Sequence, residues 1–139
     1  MSPLVTSGLS PFVDTNVLLY LISDDAAKAH RAEALLAGRI VVSVQVLNEF
    51  GNVARRKHSL DWAELRRALE GIRHFADVRP LTIDTHERGL WLAERYQLGF
   101  YDAMIAAAAI EAGCDTLLSE DFQTGQVLDD RVTVRNPFA

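Results

Sequence analysis

Short apolar runs alternate with longer stretches of helical periodicity along the chain, and this alternation restricts the fold more than any other feature. The runs are rich in β-branched residues, as in Ile40–Ser43, and Gly38 and Gly113 stand where two of the helical stretches should end. Because adjacent parallel strands need a crossover connection, such alternation predicts helices on both faces of a mostly parallel sheet. The expected fold class is α/β, and the expected architecture is a three-layer α/β/α sandwich with a mostly parallel central sheet.

The boundaries follow from the same pattern. The predicted strands span residues 12–15, 40–43, 78–81, 115–119 and 131–135. The predicted helices span residues 26–36, 44–57, 61–75, 84–96 and 101–112. Two helices begin with sequences that resemble a capping box, at 61–64 and 84–87, and residues 121–130 are expected to form a loop.

Length and composition restrict the domain count and the compartment. The chain has 139 residues, which suits one domain over residues 11–139 after an N-terminal extension over residues 1–10. Cys114 is the only cysteine, which excludes an internal disulfide and fits a cytoplasmic protein. The apolar stretch 9–22 contains Pro11, Asp14 and Asn16, so we expect no membrane span.

Four acidic residues should meet at one edge of this sheet. Two of them follow predicted strands, and two lie near the starts of helices that come after strands; they are Asp14, Glu49, Asp102 and Asp121. Ligands of open parallel sheets bind at the carboxyl ends of the strands. At about 5 Å and an effective dielectric near 20, each carboxylate pair would repel by roughly 3 kcal/mol, so a cation is expected among them.

Carboxylate oxygens are the ligands that hard divalent cations prefer. Mg²⁺ or Mn²⁺ at this edge would orient a phosphate and activate a water molecule, which is chemistry typical of a nuclease. Asn16 and Ser119 stand beside the carboxylates and could hold a metal-bound water or a phosphate oxygen. The net charge of −5 argues against a general nucleic-acid binder, but bound cations would offset much of it.

The ordered set of motifs resembles the PIN-domain ribonucleases, and in particular the small VapC-type toxins of toxin–antitoxin pairs. The motifs are FVDTNVL at Phe12–Leu18, NEF at Asn48–Phe50, YDAMIA at Tyr101–Ala106 and LLSEDF at Leu117–Phe122. The resemblance covers roughly residues 11–138.

The resemblance implies a PIN-like domain with Mg²⁺- or Mn²⁺-dependent endoribonuclease activity on single-stranded RNA. It also implies a homodimer and a small VapB-like antitoxin as partner. The four acidic residues match the family's acidic positions, Asn16 matches its frequent Asn, and Ser119 matches its Thr or Ser. Either Glu120 or the adjacent Asp121 could face the metal.

Other readings of the same residues stay open. Asp14 and Asp102 could act as helix caps, Glu49 could be a solvated helix residue, and the basic run Arg55, Arg56 and Lys57 could contact RNA or only offset a helix dipole. A non-catalytic PIN-like module that binds RNA or protein is the main alternative function. A haloacid-dehalogenase-type phosphatase is a weaker alternative, because its usual second Asp is Asn16 here.

Overall fold

A computed structural model describes residues 9–139, so residues 1–8 of the predicted extension lie outside it. The elements follow in the order β1 (Phe12–Val13), α1 (Thr15–Leu19), a 3-10 turn (Tyr20–Ile22), α2 (Ala26–Leu36), β2 (Ile40–Ser43), α3 (Val44–Lys57), α4 (Trp62–Phe75), β3 (Ala76–Arg79), α5 (Ile83–Tyr96), α6 (Phe100–Glu111), β4 (Thr116–Leu118), β5 (Val127–Leu128) and β6 (Val132–Arg135). No helix over residues 9–139 is both long and apolar enough to cross a membrane.

The strands form one sheet in the order β3-β2-β1-β4-β6-β5. Every neighbouring pair is parallel except β5 and β6, which pair antiparallel at one border of the sheet. The predicted α/β fold with a mostly parallel central sheet is therefore confirmed.

The strand order also explains how the helices divide between the two faces. The chain moves from β1 to β2 and β3 in one direction, then crosses back to β4 on the other side of β1. Since parallel crossovers are right-handed, the reversal puts α1–α4 on one face and α5 and α6 on the other. Helices α1, α3 and α4 accordingly pack together, and α5 packs on α6. The direction reverses between β1 and β4, where open α/β sheets form a crevice.

Helix α6 is the central helix of its face. Residues 103–110 are all buried, and the helix contacts β2, β4 and β6. Its alanines let the helix lie close to the sheet. Gly89 lets α5 lie close to α6, because a Cβ at Gly89 would overlap the sulfur of Met104 on α6. Gly113 ends this segment in the left-handed region, with φ of 76°, as the sequence predicts.

Cys114 follows α6 and is buried with 5% of its surface exposed. Its N–H donates to the carbonyl of Ala109 at 3.1 Å. Burial raises the pKa of its thiol to about 11, because the charged thiolate loses its hydration.

The structure corrects four details of the sequence prediction. Strand β3 ends at Arg79 instead of residue 81, because Pro80 has no N–H to donate to a ladder. The second capping box joins Thr82 and Thr85, not residues 84 and 87, so α5 begins earlier than predicted. The predicted first strand ends at Val13, where Asp14 caps α1. The predicted 121–130 loop contains strand β5.

Candidate active site

Asp14 stands at the carboxyl end of β1, and its position is set by the backbone on both sides. Its N–H donates to the carbonyl of Leu118 at 2.9 Å, which continues the pairing of β1 with β4. Its Oδ1 accepts a hydrogen bond of 2.6 Å from the N–H of Thr15, at the start of α1. Only 4% of the Asp14 surface is exposed. Asp14 is thus a helix cap, which is one of the two roles that the sequence allowed for it. Its carboxylate also faces the end of β4.

Ser119 connects the ends of β1 and β4. Its hydroxyl donates to Oδ2 of Asp14 at 2.8 Å and accepts from the backbone N–H of Asp121 at 3.0 Å. Asn16 donates its amide to the same hydroxyl at 3.3 Å and accepts from the N–H of Glu120 at 3.3 Å. The two neutral side chains therefore position the carboxylates of this edge and the segment that carries Asp121.

Three of the four predicted acids meet at this edge. Asp14, Asp102 and Asp121 each offer one carboxylate oxygen, and these atoms all lie within 4.8 Å of one another. Asp102 comes from the first turn of α6, whose N-cap is Gly99, so Asp102 is not the helix cap that the sequence allowed. The cluster is buried at Asp14, half-buried at Asp102 and exposed at Asp121, so one side of it opens to solvent.

Burial and mutual repulsion change the proton affinity of this cluster. The pKa of Asp14 is raised from 3.8 to about 7, chiefly by burial and also by the charges of Asp121 and Asp102, against the opposing hydrogen bonds from Ser119 and Thr15. The pKa of Asp102 is raised too, by burial first and then by Asp121 and Glu49. Near neutral pH the metal-free cluster therefore holds a proton that a divalent cation would displace.

Glu49 lies beside the three aspartates, not among them. Its Oε1 accepts from Nε2 of Gln45 at 3.1 Å, and the same amide nitrogen donates to the carbonyl of Tyr101 at 3.1 Å. Glu49 is close enough to Asp102 to raise the pKa of that carboxyl. Its place more than one turn into α3 puts it at the rim of the cluster, and Gln45 connects α3 to the start of α6.

Glu120 turns away from the cluster, although it precedes Asp121. Its carboxylate forms a salt bridge of 3.0 Å with Nζ of Lys28 and accepts from the hydroxyl of Tyr20 at 2.8 Å. Of the two adjacent acids, Asp121 is the one that faces Asp14 and Asp102. No motif near Glu120 indicates Lys28 and Tyr20 as its partners, because both are about a hundred residues away along the chain.

The basic run lies at the far end of α3. Arg55, Arg56 and Lys57 form the last turn of this helix, whose first residue follows β2 at the site edge. At 1.5 Å per residue, Arg56 is about 20 Å along the helix from Ser43. The guanidinium of Arg55 lies 4.0 Å from the centre of the Trp62 ring and donates to the carbonyl of Leu60, while Arg56 and Lys57 are exposed.

The donor set of the cluster fits a hard divalent cation. All three groups are carboxylates, and no salt bridge within residues 9–139 joins them to a Lys, Arg or His. Buried or half-buried carboxylates without a cation are costly, and oxygen-only sites of this kind suit Mg²⁺ or Mn²⁺ better than softer metals.

Comparison with known proteins agrees with the fold. Among solved structures the chain is similar to VapC20 of Mycobacterium tuberculosis, a sarcin–ricin loop cleaving toxin, at 24% identity and a TM-score of 0.65, over 81% of this chain and 92% of that one. It is also similar to a toxin–antitoxin complex from Klebsiella pneumoniae at 21% identity and a TM-score of 0.69, over 92% and 98%. VapBC2 from Rickettsia felis, bound to a DNA fragment from its promoter, gives 18% identity and a TM-score of 0.67, over 92% and 98%.

No curated protein sequence gives a match. These structural similarities, at such low identities, show the fold. The sequence pattern of the PIN domain, however, matches residues 12–127, which is most of the chain, and the chain belongs to the PIN-domain family.

Proposed function

We propose that this protein is a metal-dependent endoribonuclease that hydrolyses RNA phosphodiester bonds. The observation that carries the proposal is the convergence of Asp14, Asp102 and Asp121 at the crevice of a PIN-domain sheet, with no cationic side chain paired to them. Mg²⁺ or Mn²⁺ is the cofactor that this donor set favours.

Each residue of the site has a role in this proposal that follows from its position. A divalent cation, when bound, supplies charge stabilisation to the phosphate and acidifies water. Asp14 is the most firmly held ligand, since backbone contacts and Ser119 fix its carboxylate. Asp102 and Asp121 would complete the metal ligand set, and Glu49 at the rim would hold water next to Asp102. Asn16 and Ser119 orient the carboxylates around them.

We also propose that the protein is the toxin of a toxin–antitoxin pair, on the strength of its structural neighbours. One neighbour is described as a toxin, and two others come from toxin–antitoxin complexes. The expected partner is a small VapB-like antitoxin, and the expected state is a cytoplasmic homodimer. Size-exclusion chromatography with light scattering tests the homodimer directly, because a monomer of 15.4 kDa would contradict it.

The decisive experiment is cleavage of an end-labelled, mixed-sequence RNA pool by the purified full chain with Mg²⁺, with Mn²⁺ and with EDTA. We expect metal-dependent cleavage that Asp102→Asn abolishes without loss of folded structure. Asp84→Asn is the matched control, because Asp84 is an exposed acid on α5 outside the cluster. Full activity of Asp102→Asn would disprove the site.

The alternative functions make different predictions in the same experiment. Metal-independent RNA binding without cleavage, by folded protein free of bound inhibitor, would favour the non-catalytic module. The phosphatase hypothesis finds no support. It needs an acidic side chain at position 16, and the Asn16 amide there uses both its nitrogen and its oxygen in hydrogen bonds to Ser119 and Glu120.

A further inference from the structure

An open cavity lies directly beside the acidic cluster, between α3, the start of α6 and the segment before α5. Its volume is about 490 Å³. The residues that line it are Gln45, Asn48, Glu49, Asn52, Leu81 and Tyr101. The cavity adjoins the cluster at two points, since Tyr101 precedes Asp102 in the chain and Glu49 lies close to Asp102.

The side chains of this cavity are suited to a flat, uncharged, hydrogen-bonding ligand. Tyr101, the second residue of α6, is 65% exposed, so its ring is available to a partner. Asn48 and Asn52 lie four residues apart on one face of α3, and neither side-chain amide bonds to another group within the described part of the chain. Each amide offers a donor and an acceptor, as the edge of a nucleobase does.

The cavity does not suit a phosphate group. No Lys or Arg lines it, and the carboxylate of Glu49 would repel an anion. An aromatic ring beside amide groups is the combination with which proteins hold unpaired bases, through stacking on the ring and hydrogen bonds to the base edge.

Hydrogen bonds and a ring contact hold the wall that carries Tyr101 in place. Gln45 is buried and donates to the carbonyl of Tyr101 and to the carboxylate of Glu49, so one side chain fixes both sides of the cavity. The ring of Phe100 meets that of Tyr101 edge-on, with centroids 5.4 Å apart, which supports the tyrosine from the other side. A stacking surface that is already ordered loses little conformational entropy when a base binds.

We propose that this cavity binds one unpaired nucleobase of the RNA substrate, next to the phosphate that is cleaved, with Tyr101 as the stacking surface and Asn48 and Asn52 as the groups that contact the base edge. The inference rests on the proposed ribonuclease function. It requires that the base next to the cut be unpaired, because a base within a duplex cannot enter the cavity.

The test combines variants of the protein with RNAs that lack single bases. The cut site is first mapped on a single-stranded RNA, and each nucleotide around it is then replaced by an abasic one. With the parent protein, we expect removal of one particular base to lower kcat/KM by roughly ten- to hundredfold, mainly through KM, as loss of one stacked base would. With Tyr101→Ala, the intact RNA should already show that loss, and removal of the same base should change little further.

Two further variants separate stacking from a structural effect. Tyr101→Phe keeps the ring and should recover most of what Tyr101→Ala loses, whereas Trp91→Ala removes an exposed aromatic residue of α5 that does not line the cavity and should leave kcat/KM unchanged. Tyr101→Ala retains the backbone carbonyl that Gln45 contacts, so its melting temperature should stay close to that of the parent.

The outcomes distinguish this inference from the proposed function. If the parent cuts RNA and Tyr101→Ala responds to every abasic RNA as the parent does, the cavity proposal is wrong and the ribonuclease stands. If the parent cuts no RNA, the proposed function fails, and anisotropy of a labelled single-stranded RNA decides the cavity: equal affinity of parent and Tyr101→Ala would overturn it. A variant that alters only self-association or protein binding would overturn it as well and identify a protein interface.

Discussion

The two sides of the acidic cluster are built in different ways. On the sheet side, Asp14 is fixed by a backbone bond to Leu118, by the first turn of α1 and by the Ser119 hydroxyl. On the helix side, Asp102 and Glu49 project from the beginnings of α6 and α3, and no side-chain group caps α6. Asp14 on the sheet side is buried and held by hydrogen bonds, although Asp121 beyond β4 is exposed, while the helix side is half-buried at Asp102 and adjoins a cavity.

This difference separates two tasks of a nuclease. A buried, preorganised carboxylate loses little entropy when it binds a cation, and its desolvation makes metal-free protein hold a proton there instead. The half-exposed edge formed by α3 and α6 is accessible to an RNA chain, which must bind and dissociate in each turnover. Asp14 should therefore contribute most to metal affinity, whereas the helix side, which also supplies Asp102 as a ligand, should control how RNA is held.

Among the variants that test this difference, the largest effect is expected from Asp14→Asn. We expect cleavage to fall by more than about a hundredfold, beyond the range seen for groups that only support a metal ligand. Glu49→Gln, on the helix side, should cost about tenfold or less because Glu49 is outside the group of three. Single-turnover cleavage at saturating Mg²⁺ measures both, and equal losses would show that the two sides do not differ in this way.

The same Asp14→Asn variant has a stability signature. Without metal it should melt at the same temperature as the parent or higher, since a buried, repelled carboxylate is removed. Mg²⁺ should raise the melting temperature of the parent more than that of the variant. Equal shifts would place the metal elsewhere.

The next effect in size is expected from Ser119→Ala. The hydroxyl serves Asp14, Asp121 and Asn16 at once, so its loss should lower metal affinity by about ten- to hundredfold. Buried partners left without a hydrogen bond should also cost about 1–3 kcal/mol of unfolding free energy. Ser119→Thr keeps the hydroxyl and serves as the matched control. Melting temperatures measured over a Mg²⁺ titration report the metal affinity. Unfolding in EDTA reports the loss of unfolding free energy.

The pH dependence of the unfolding free energy of metal-free protein tests mainly the buried Asp14. Because the pKa of Asp14 is about 7 in the native state and near 3.8 when unfolded, the native state binds the extra proton between these values. Its stabilising contribution is present at low pH and is lost as pH rises through 7. From about pH 5.5 to about pH 8 this amounts to about 2 kcal/mol.

Urea unfolding in EDTA measures this loss. Asp14→Asn should remove most of it and leave the smaller part that comes from Asp102, whose pKa is raised in the same direction. A parent protein whose stability does not fall over this range would show that Asp14 is ionised without metal.

The smallest effect is expected at the far end of α3. We propose that Arg56 and Lys57 contact the RNA backbone away from the cut. Their joint replacement by alanine should raise KM a fewfold, leave kcat unchanged and reduce the salt dependence of RNA binding by about one unit of slope per lost phosphate contact. An unchanged salt slope would leave these residues with a role at the helix terminus only.

Residues that follow strands could be placed from the sequence. The pairs Phe12–Leu117 and Val13–Leu118 align the ends of β1 and β4, so the next residues, Asp14 and Ser119, must face each other. Any sequence pattern that locates the two strands therefore locates this half of the site. The parallel arrangement was predictable too, because helical stretches separate the predicted strands.

Residues whose place depends on helix orientation or distant contacts could not be placed in this way. Whether Glu49 joins the aspartates depends on the tilt of α3 and on Gln45, which local periodicity does not encode. The turn of Glu120 toward Lys28 depends on a contact between residues far apart in the chain. The exposure of Tyr101 likewise depends on how the start of α6 packs against its neighbours, which the local sequence does not encode.

Cys114 makes this protein convenient for site-specific spectroscopy. As the only cysteine, buried and with its thiol pKa raised to about 11, it offers almost no reactive thiolate at neutral pH. The natural sequence therefore behaves toward maleimide reagents almost as a cysteine-free background. A single cysteine introduced at an exposed position such as Leu81, on the wall of the cavity, would carry a fluorophore or spin label at one defined point, from which the arrival of RNA can be followed in real time.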